Sequence, residues 1–340
     1  MTTLDDRLYG PEPDVTADAG YQEHPPRMGF FTDTSICIGC KACEVACKEW
    51  NMVPEDGYEL TGMSFDNTGM LGASTWRHVA FIEQDRPLGR QDSGTEGHPT
   101  GPPSAQAMHD ATAGSVAAMP SHGTRMGTAP VELGMPSFDL PGARTGAEGR
   151  QEFRWLMSSD VCKHCTHAGC LDVCPTGSLF RTEFGTVVVQ EDICNGCGYC
   201  VSGCPYGVID RREEDGRAWK CTMCYDRLRD GMEPACAKAC PTDSIQFGPL
   251  DELRERAQQR VEQLHEQGVP EARLYGEDPD DGVGGNGAFF LLLDEPEVYG
   301  FPPDPVVPTR DLGRMWRFAG AAALAFFGAA VSVFVEGRER

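Results

Sequence analysis

The sequence predicts an α+β protein with two nested modules of short hairpins and helices, followed by a C-terminal transmembrane helix. Three observations support this prediction. Sixteen cysteines fall into four groups of four. The segments around them alternate between strand-like and helix-like patterns. The C-terminal region contains a long stretch without charged residues.

The cysteines indicate metal binding rather than a disulfide framework. Disulfide-rich folds are typical of short secreted domains. This chain has 340 residues, and its acidic, Pro-rich beginning shows no apolar region of a signal peptide. Cysteines clustered in fours favour metal sites. In sequence order the groups are Cys37, Cys40, Cys43 and Cys47; Cys162, Cys165, Cys170 and Cys174; Cys194, Cys197, Cys200 and Cys204; and Cys221, Cys224, Cys236 and Cys240.

The spacing within the groups indicates iron–sulfur clusters. Groups one and three both read C-x2-C-x2-C-x3-C, the spacing of bacterial ferredoxins. There, three thiolates of one loop bind three irons of a cubane, and the fourth cysteine binds the other cluster of a pair. Groups two and four have longer internal gaps. Groups two, three and four end in Cys-Pro, whereas Lys48 follows group one. The sequence therefore predicts four [4Fe–4S] clusters.

Zinc is the main competing metal, because paired C-x2-C motifs also build zinc ribbons. A zinc site requires neither a third cysteine after a second short gap nor the three-residue gap before the last cysteine. All four groups have that final gap. The spacing favours iron–sulfur clusters, with a zinc-stabilised structural scaffold as the alternative of another class.

The exchange of the fourth cysteine also predicts how the groups pair. Groups two and three are close in sequence and should form an inner dicluster ferredoxin-like module, with groups one and four pairing around it. The predicted divisions are a disordered arm (1–29), the first half of the outer module (30–83), a flexible insertion (84–151), the inner module (152–212), the second half of the outer module (213–250), a helix and strand extension (251–309) and a membrane anchor (310–340).

Local patterns predict the elements between the groups. We expect a strand at residues 76–82, a turn and strand at 184–189, a hairpin formed by 208–210 and 217–220, an amphipathic helix at 251–267 and a buried strand at 288–293. The helix has Leu253, Ala257, Val261 and Leu264 on one face. Residues 84–150 are rich in small and turn-forming residues and predict a flexible surface insertion.

The C-terminal prediction rests on residues 318–335, which contain no charged side chain. Eighteen helical residues would extend about 27 Å, enough to span the apolar core of a bilayer. Arginines lie on both sides of this stretch. The pattern predicts a single-pass anchor in contact with lipid.

Charge and neighbouring residues refine the functional prediction. The net charge of −23 argues against nucleic acid as a partner. Each group already supplies four cysteines, so we expect His164 and His167 to lie near a cluster or at the surface rather than to bind iron. Lys41, Lys163 and Lys220 follow or precede cysteines. They could raise cluster potentials or be ordinary surface lysines.

Several runs resemble a known family. Residues 37–51, 219–227 and 233–236 are similar to the four-cluster electron-transfer subunits of molybdopterin oxidoreductases. Residues 274–275, 282–285 and 298–302, with the apolar terminal helix, resemble the beta subunit of respiratory formate dehydrogenase. The arm and the insertion lie outside the resemblance.

The resemblance implies four ligand sets and a place in an electron-transfer complex. It also implies a catalytic molybdenum or tungsten subunit that oxidises formate, a membrane cytochrome b subunit that reduces quinone, and a non-catalytic role for this protein on the outer face of the cell membrane. The cysteines alone leave open a hydrogenase or a sulfur or sulfoxide oxidoreductase as the partner. The implied sets are Cys37, Cys40, Cys43 and Cys240 (cluster 1); Cys221, Cys224, Cys236 and Cys47 (cluster 2); Cys162, Cys165, Cys170 and Cys204 (cluster 3); and Cys194, Cys197, Cys200 and Cys174 (cluster 4).

Overall fold

The structure is a computed structural model that describes residues 14–56, 65–66, 68–84 and 154–338. Within the last range it describes side chains for residues 155–331. The predicted flexible insertion lies outside the described residues, apart from Gln84 at its beginning.

Short helices and strands connected by turns make up most of this part of the protein. The helices are α1 Val15–Asp18, α2 Ala42–Trp50, α3 Gly169–Asp172, α4 Tyr199–Ser202, α5 Tyr225–Arg229, α6 Ala235–Lys238, α7 Leu250–Glu266 and α8 Leu312–Arg338. The strands are β1 Met28–Asp33, β2 Arg77–Gln84, β3 Arg154–Val161, β4 Leu179–Arg181, β5 Val187–Val189, β6 Asp210–Arg211, β7 Ala218–Trp219, β8 Ile245–Pro249, β9 Arg273–Tyr275 and β10 Ala288–Leu292.

A four-stranded sheet with the order β8-β1-β10-β9 lies at the centre. β1 pairs in parallel with β10, with Phe30 opposite Ala288, while the two outer pairs are antiparallel. Three separate two-stranded pairs join β2 to β3, β4 to β5 and β6 to β7. The sheet thus joins segments that are more than 200 positions apart in the sequence.

The two faces of this sheet contact different parts of the protein. Successive side chains in a strand point to opposite faces. Phe31 and Phe289 therefore pack with Leu253 of α7 on one face, whereas Phe30 and Phe290 contact a core that contains buried cysteines on the other. The sheet therefore lies between α7 and the cysteine sites.

Most of the predicted elements are present, with shifted ends. The strand expected at 76–82 is β2, and the strand expected at 288–293 is β10. The helix expected at 251–267 is α7, in which Leu253, Ala257 and Leu264 are buried. The predicted hairpin is β6 and β7. Within the predicted disordered arm, residues 15–18 form one helical turn, which Asp14 caps through its side chain.

The predicted transmembrane helix was wrong, although the segment is helical as α8. Among the described residues, no helix is both long enough and apolar enough to cross a bilayer. The described part of α8 includes Arg314 and Arg317 in its first turns, and arginine strongly opposes transfer into hydrocarbon. Much of the rest is Ala and Gly, whose side chains contribute little apolar area.

Candidate metal centres

The cysteine loops use backbone conformations that bring several sulfurs to one side. Gly39 and Gly196, between the first two cysteines of groups one and three, have φ of +64° and +71°. A left-handed residue at this point turns the backbone without a steric cost when it is glycine. Cys224 itself has a φ of +49°. These turns let a short loop wrap around one centre.

The helices that follow the loops pair the groups. Helix α2 of group one packs against α6 of group four, and α3 of group two packs against α4 of group three. The loop of group two is also fixed to β10, because the carbonyl oxygen of Lys163 accepts a hydrogen bond from the amide of Ala288 at 2.9 Å. Groups one and four thus lie together, as do groups two and three.

Four cysteines from groups one and four line one cavity. Its other lining residues include Lys41 and Ser159. Cys40 is exposed whereas Cys43 is buried. The site is therefore open to solvent on one side. Its cysteines are Cys37, Cys40, Cys43 and Cys240.

Four cysteines from groups two and three line a second cavity. His164 and Lys220 also line it. The Nδ1 atom of His164 accepts a hydrogen bond from the amide of Val187 at 3.1 Å, so Nε2 holds the ring proton when the imidazole is neutral. That buried Nε2 has no hydrogen-bond partner within the described protein. The cysteines of this cavity are Cys162, Cys165, Cys170 and Cys204.

The remaining cysteines also have neighbours from the partner group. Burial and the nearby sulfurs of Cys221, Cys236 and Cys224 raise the pKa of Cys47 well above its ordinary value. Asn51 Nδ2 lies 3.8 Å from the sulfur of Cys47 and 3.6 Å from that of Cys224. A side chain next to group one therefore reaches the sulfurs of group four.

In the inner pair, too, cysteines of the two groups are neighbours. Burial and the sulfurs of Cys194, Cys174 and Cys197 raise the pKa of Cys200 to about 11. Cys174 belongs to group two and the others to group three. The pKa of Cys174 falls to about 6, because hydrogen bonds from Ser178 and from backbone amides outweigh the opposing effect of burial. A cysteine of group two thus lies among those of group three.

The buried thiols need nearby positive charge to ionise. Burial raises the pKa of Cys43 and of Cys170 to about 12 each, so free thiols at these positions would stay protonated at neutral pH. Binding to iron requires thiolates. Two fully buried cations, Arg77 and Lys220, lie among the cysteines and favour their charged forms.

The donor set and the cavities fit [4Fe–4S] clusters. Each of the two cavities brings together four thiols, the usual ligands of such a cluster. In the described ranges, no three His, Cys, Asp or Glu side chains converge on the position of a single ion. The unpaired Nε2 of His164 is suited to donate a hydrogen bond to a group bound in its cavity.

The structure excludes a surface position for two of the three lysines that lie beside cysteines. Lys163 and Lys220 are not surface lysines, because they are 1% and 2% exposed. Lys163 lies over the rings of Phe301 and Phe290, 4.5 and 4.8 Å from the centroids. Lys41 is half-buried and pairs with Asp66 at 3.3 Å.

The sequence did not predict the roles of Arg77 and Ser159, which lie between two cysteine sites. Ser159 lines the first cavity, and Arg77 donates a hydrogen bond to Cys236 Sγ at 3.3 Å. The available signal was an arginine near the start of a predicted strand whose other residues, apart from His78, are apolar. The contact between Gly169 and Gly203 was not predicted either; a Cβ added at Gly169 would lie 2.5 Å from the carbonyl oxygen of Gly203.

Two family models match the protein, and both describe a 4Fe-4S dicluster domain, at residues 36–178 and 153–250. An iron-sulfur subunit of nitrate-inducible formate dehydrogenase from Escherichia coli (strain K12) is 32% identical over 87% of this chain and 79% of its own length. The formate dehydrogenase iron-sulfur subunit of Haemophilus influenzae is 33% identical over 92% and 80%. The B subunit of anaerobic dimethyl sulfoxide reductase from Escherichia coli (strain K12) is 29% identical over 68% and 77%.

The fold, the cysteine sites and the dicluster domains define an iron–sulfur electron-transfer protein. Within this class the protein belongs to the family of formate dehydrogenase iron–sulfur subunits. The comparison confirms the resemblance inferred from residues 37–51, 219–227 and the C-terminal runs.

Proposed function

We propose that the protein holds four [4Fe–4S] clusters and relays electrons from a formate-oxidising molybdenum or tungsten subunit to a membrane cytochrome b and quinone, with no catalytic residue of its own. The observation that supports this proposal is that two sets of four cysteines each line a cavity, while among the other eight Cys47 and Cys200 have sulfur neighbours from the partner group. Membership of the formate dehydrogenase family supports the choice of donor.

The proposed ligand sets follow the neighbours found in the structure. Each bound cluster would supply one-electron redox chemistry, and the protein would fix its position and electrostatic surroundings. The sets are Cys37, Cys40, Cys43 and Cys240 for cluster 1; Cys221, Cys224, Cys236 and Cys47 for cluster 2; Cys162, Cys165, Cys170 and Cys204 for cluster 3; and Cys194, Cys197, Cys200 and Cys174 for cluster 4.

Contacts between the sets support one linear order. Arg77 lies near both Cys43 of cluster 1 and Cys236 of cluster 2. The sulfur of Cys162 in cluster 3 is a neighbour of Cys221 in cluster 2 and, after burial, contributes to the raised pKa of that thiol. Clusters 3 and 4 exchange ligands within the inner pair. Electrons would therefore pass along the order 1, 2, 3, 4, in either direction.

The exchange of ligands can be tested with three variants. In this proposal Cys240→Ser and Cys37→Ser alter the same EPR signal, although their positions lie far apart in sequence, while Cys221→Ser alters a different one. Each should reduce bound iron by roughly a quarter or convert one cluster to a three-iron form. If Cys240→Ser and Cys221→Ser instead alter one signal, the nested sets are wrong.

The donor is tested separately. Formate added to anaerobic membranes that contain the complex should reduce the clusters, as followed by EPR. If hydrogen but not formate reduces the clusters, or if a sulfoxide oxidises them and formate has no effect, the relay belongs to another complex. The sulfoxide is included because the protein is similar to a dimethyl sulfoxide reductase subunit. Zinc without acid-labile sulfide would remove the redox function altogether. The position on the outer face of the membrane stays a prediction.

A further inference from the structure

Arg77 is a fully buried cation between two of the proposed clusters. It lies at the beginning of β2, is 2% exposed, and its guanidinium stacks over the ring of Phe30 at 4.9 Å from the centroid. Its Nη1 donates to the carbonyl oxygen of Ser159 at 3.1 Å and lies 3.3 Å from Ser159 Oγ. Its Nη2 donates to Cys236 Sγ at 3.3 Å.

The pairing of β2 with β3 places these groups on one face. Val79 lies opposite Ser159, and Arg77 opposite Val161, so Arg77 and Ser159 are diagonal neighbours whose side chains share that face. Ser159 Oγ lies 3.2 Å from Cys43 Sγ. A continuous run of polar contacts therefore leads from Cys43 through Ser159 and Arg77 to Cys236.

The charge of Arg77 has no carboxylate partner among the described residues. A buried cation is stable only near compensating negative charge. Cysteine sulfurs supply that charge as thiolates: Cys236 Sγ lies 3.3 Å from Nη2, and Cys43 Sγ lies 3.2 Å from the Ser159 Oγ that Nη1 contacts. Cys43 belongs to the proposed cluster 1 and Cys236 to cluster 2.

We propose that Arg77 is a positioning residue that holds one positive charge between clusters 1 and 2 and raises the reduction potentials of both, with Ser159 extending its influence to cluster 1. The physical reason is that a nearby positive charge stabilises the more negative, reduced form of a cluster. The inference rests on the proposed ligand sets. It goes beyond them because it assigns two clusters to one shared residue.

The decisive experiment is a potentiometric titration of the intact complex, followed by EPR, with Arg77→Met. At a fixed poised potential, the ratio of reduced to oxidised forms should fall at least tenfold for clusters 1 and 2. A tenfold change corresponds to about 59 mV for a one-electron couple. Clusters 3 and 4 should keep their potentials. Arg77→Lys should restore most of the shift because it retains the charge.

Two further variants separate electrostatics from a merely structural role. Arg256→Met removes the same charge from the exposed surface of α7 and should leave all four potentials unchanged. Ser159→Ala removes the contact to Cys43 and should lower the potential of cluster 1 while that of cluster 2 shifts less. If Arg77→Met does not assemble, Arg77→Lys and Ser159→Ala decide the matter.

The outcomes distinguish this inference from the proposed function. Two results would overturn the role of Arg77 and leave the relay intact. One is an Arg77→Met complex with full iron content and unchanged potentials of clusters 1 and 2. The other is an unchanged potential of cluster 1 in Ser159→Ala. If Arg77→Met shifts the potential of cluster 1 or of cluster 2 but not of both, the shared role is overturned. A wild-type complex without iron and acid-labile sulfide would instead overturn the proposed function itself.

Discussion

The contact between α3 and α4 makes a strong prediction about cluster 3. Gly169 and Gly203 lie where the two helices meet, and each directly precedes a proposed ligand of the same cluster, Cys170 and Cys204. A Cβ added at Gly169 would lie 2.5 Å from the carbonyl oxygen of Gly203 and 3.2 Å from a methyl group of Val307. Gly169→Ala should therefore push the two ligands apart.

The size of the effect follows from these distances. Ordinary van der Waals contact begins at 3.4 Å, so the backbone must retreat by about 0.9 Å, whereas metal–ligand distances tolerate only about 0.2 Å. Overpacking of this kind costs about 1–3 kcal/mol, and alanine recovers at most about 1 kcal/mol of helix propensity. Because the atom in the way is a backbone oxygen, the cost lies in the upper half of that range, about 2–3 kcal/mol. The net loss is then about 1–2 kcal/mol, which corresponds to a factor of about 5–30.

The assay is the rate of iron release from the anaerobically purified complex under a mild chelator, with EPR to identify the cluster. Cluster 3 should be lost about 5–30 times faster in Gly169→Ala, or be missing on purification. Gly248→Ala is the matched control, because its Cβ would meet only Leu253 at 4.0 Å. A wild-type release rate and an unchanged cluster 3 signal in Gly169→Ala would refute the reasoning.

Three further predictions concern other parts of the protein. His164→Phe should lower the potential of cluster 3 alone, because it removes one hydrogen-bond donor from that cavity. In a redox titration, the ratio of reduced to oxidised cluster 3 should change by up to about tenfold, the value of one hydrogen bond. A shift in the potential of cluster 1 would contradict this prediction. Leu253→Ala should destabilise the fold by about 2–5 kcal/mol without changing any reduction potential, because Leu253 is buried on the face of the sheet away from the cysteines. Thermal inactivation rates measure the loss of stability, and Val261→Ala, at a partly buried position, is a milder control. Asp66→Ala should cost about 1–3 kcal/mol at neutral pH, since it leaves His78 Nε2, now 2.7 Å from Asp66, buried without its partner; an unchanged inactivation rate would show that this pair contributes nothing.

Local sequence patterns predicted the elements best where one property decides the structure. The strand at β10 was predictable because five consecutive apolar residues are buried on both sides. The apolar face of α7 was predictable from its helical period. The membrane span was predicted wrongly: Arg314 and Arg317, interpreted as flanking residues, lie within the same helix, and no described helix is apolar enough to cross a bilayer.

The surroundings of the clusters were much less predictable. The sequence could not show whether Lys220 is a solvated lysine or a buried one, since both have the same neighbours in sequence. In the folded protein the buried Lys220 ammonium donates a hydrogen bond to the carbonyl oxygen of Val187, 33 positions earlier in the sequence. His164 likewise acquires its tautomer from a backbone amide on β5.

The chemistry of this protein was readable from its sequence. The number, type and spacing of the cysteines specify iron–sulfur ligands, because a cubane requires thiolates at short intervals from one loop and one from elsewhere. The environment of those ligands depends on the tertiary structure. Arg77, Ser159 and Cys236 come from three distant segments, and Gly169 meets Gly203 only where two helices cross. Such contacts depend on the pairing of strands and helices far apart in the sequence, which local patterns do not encode.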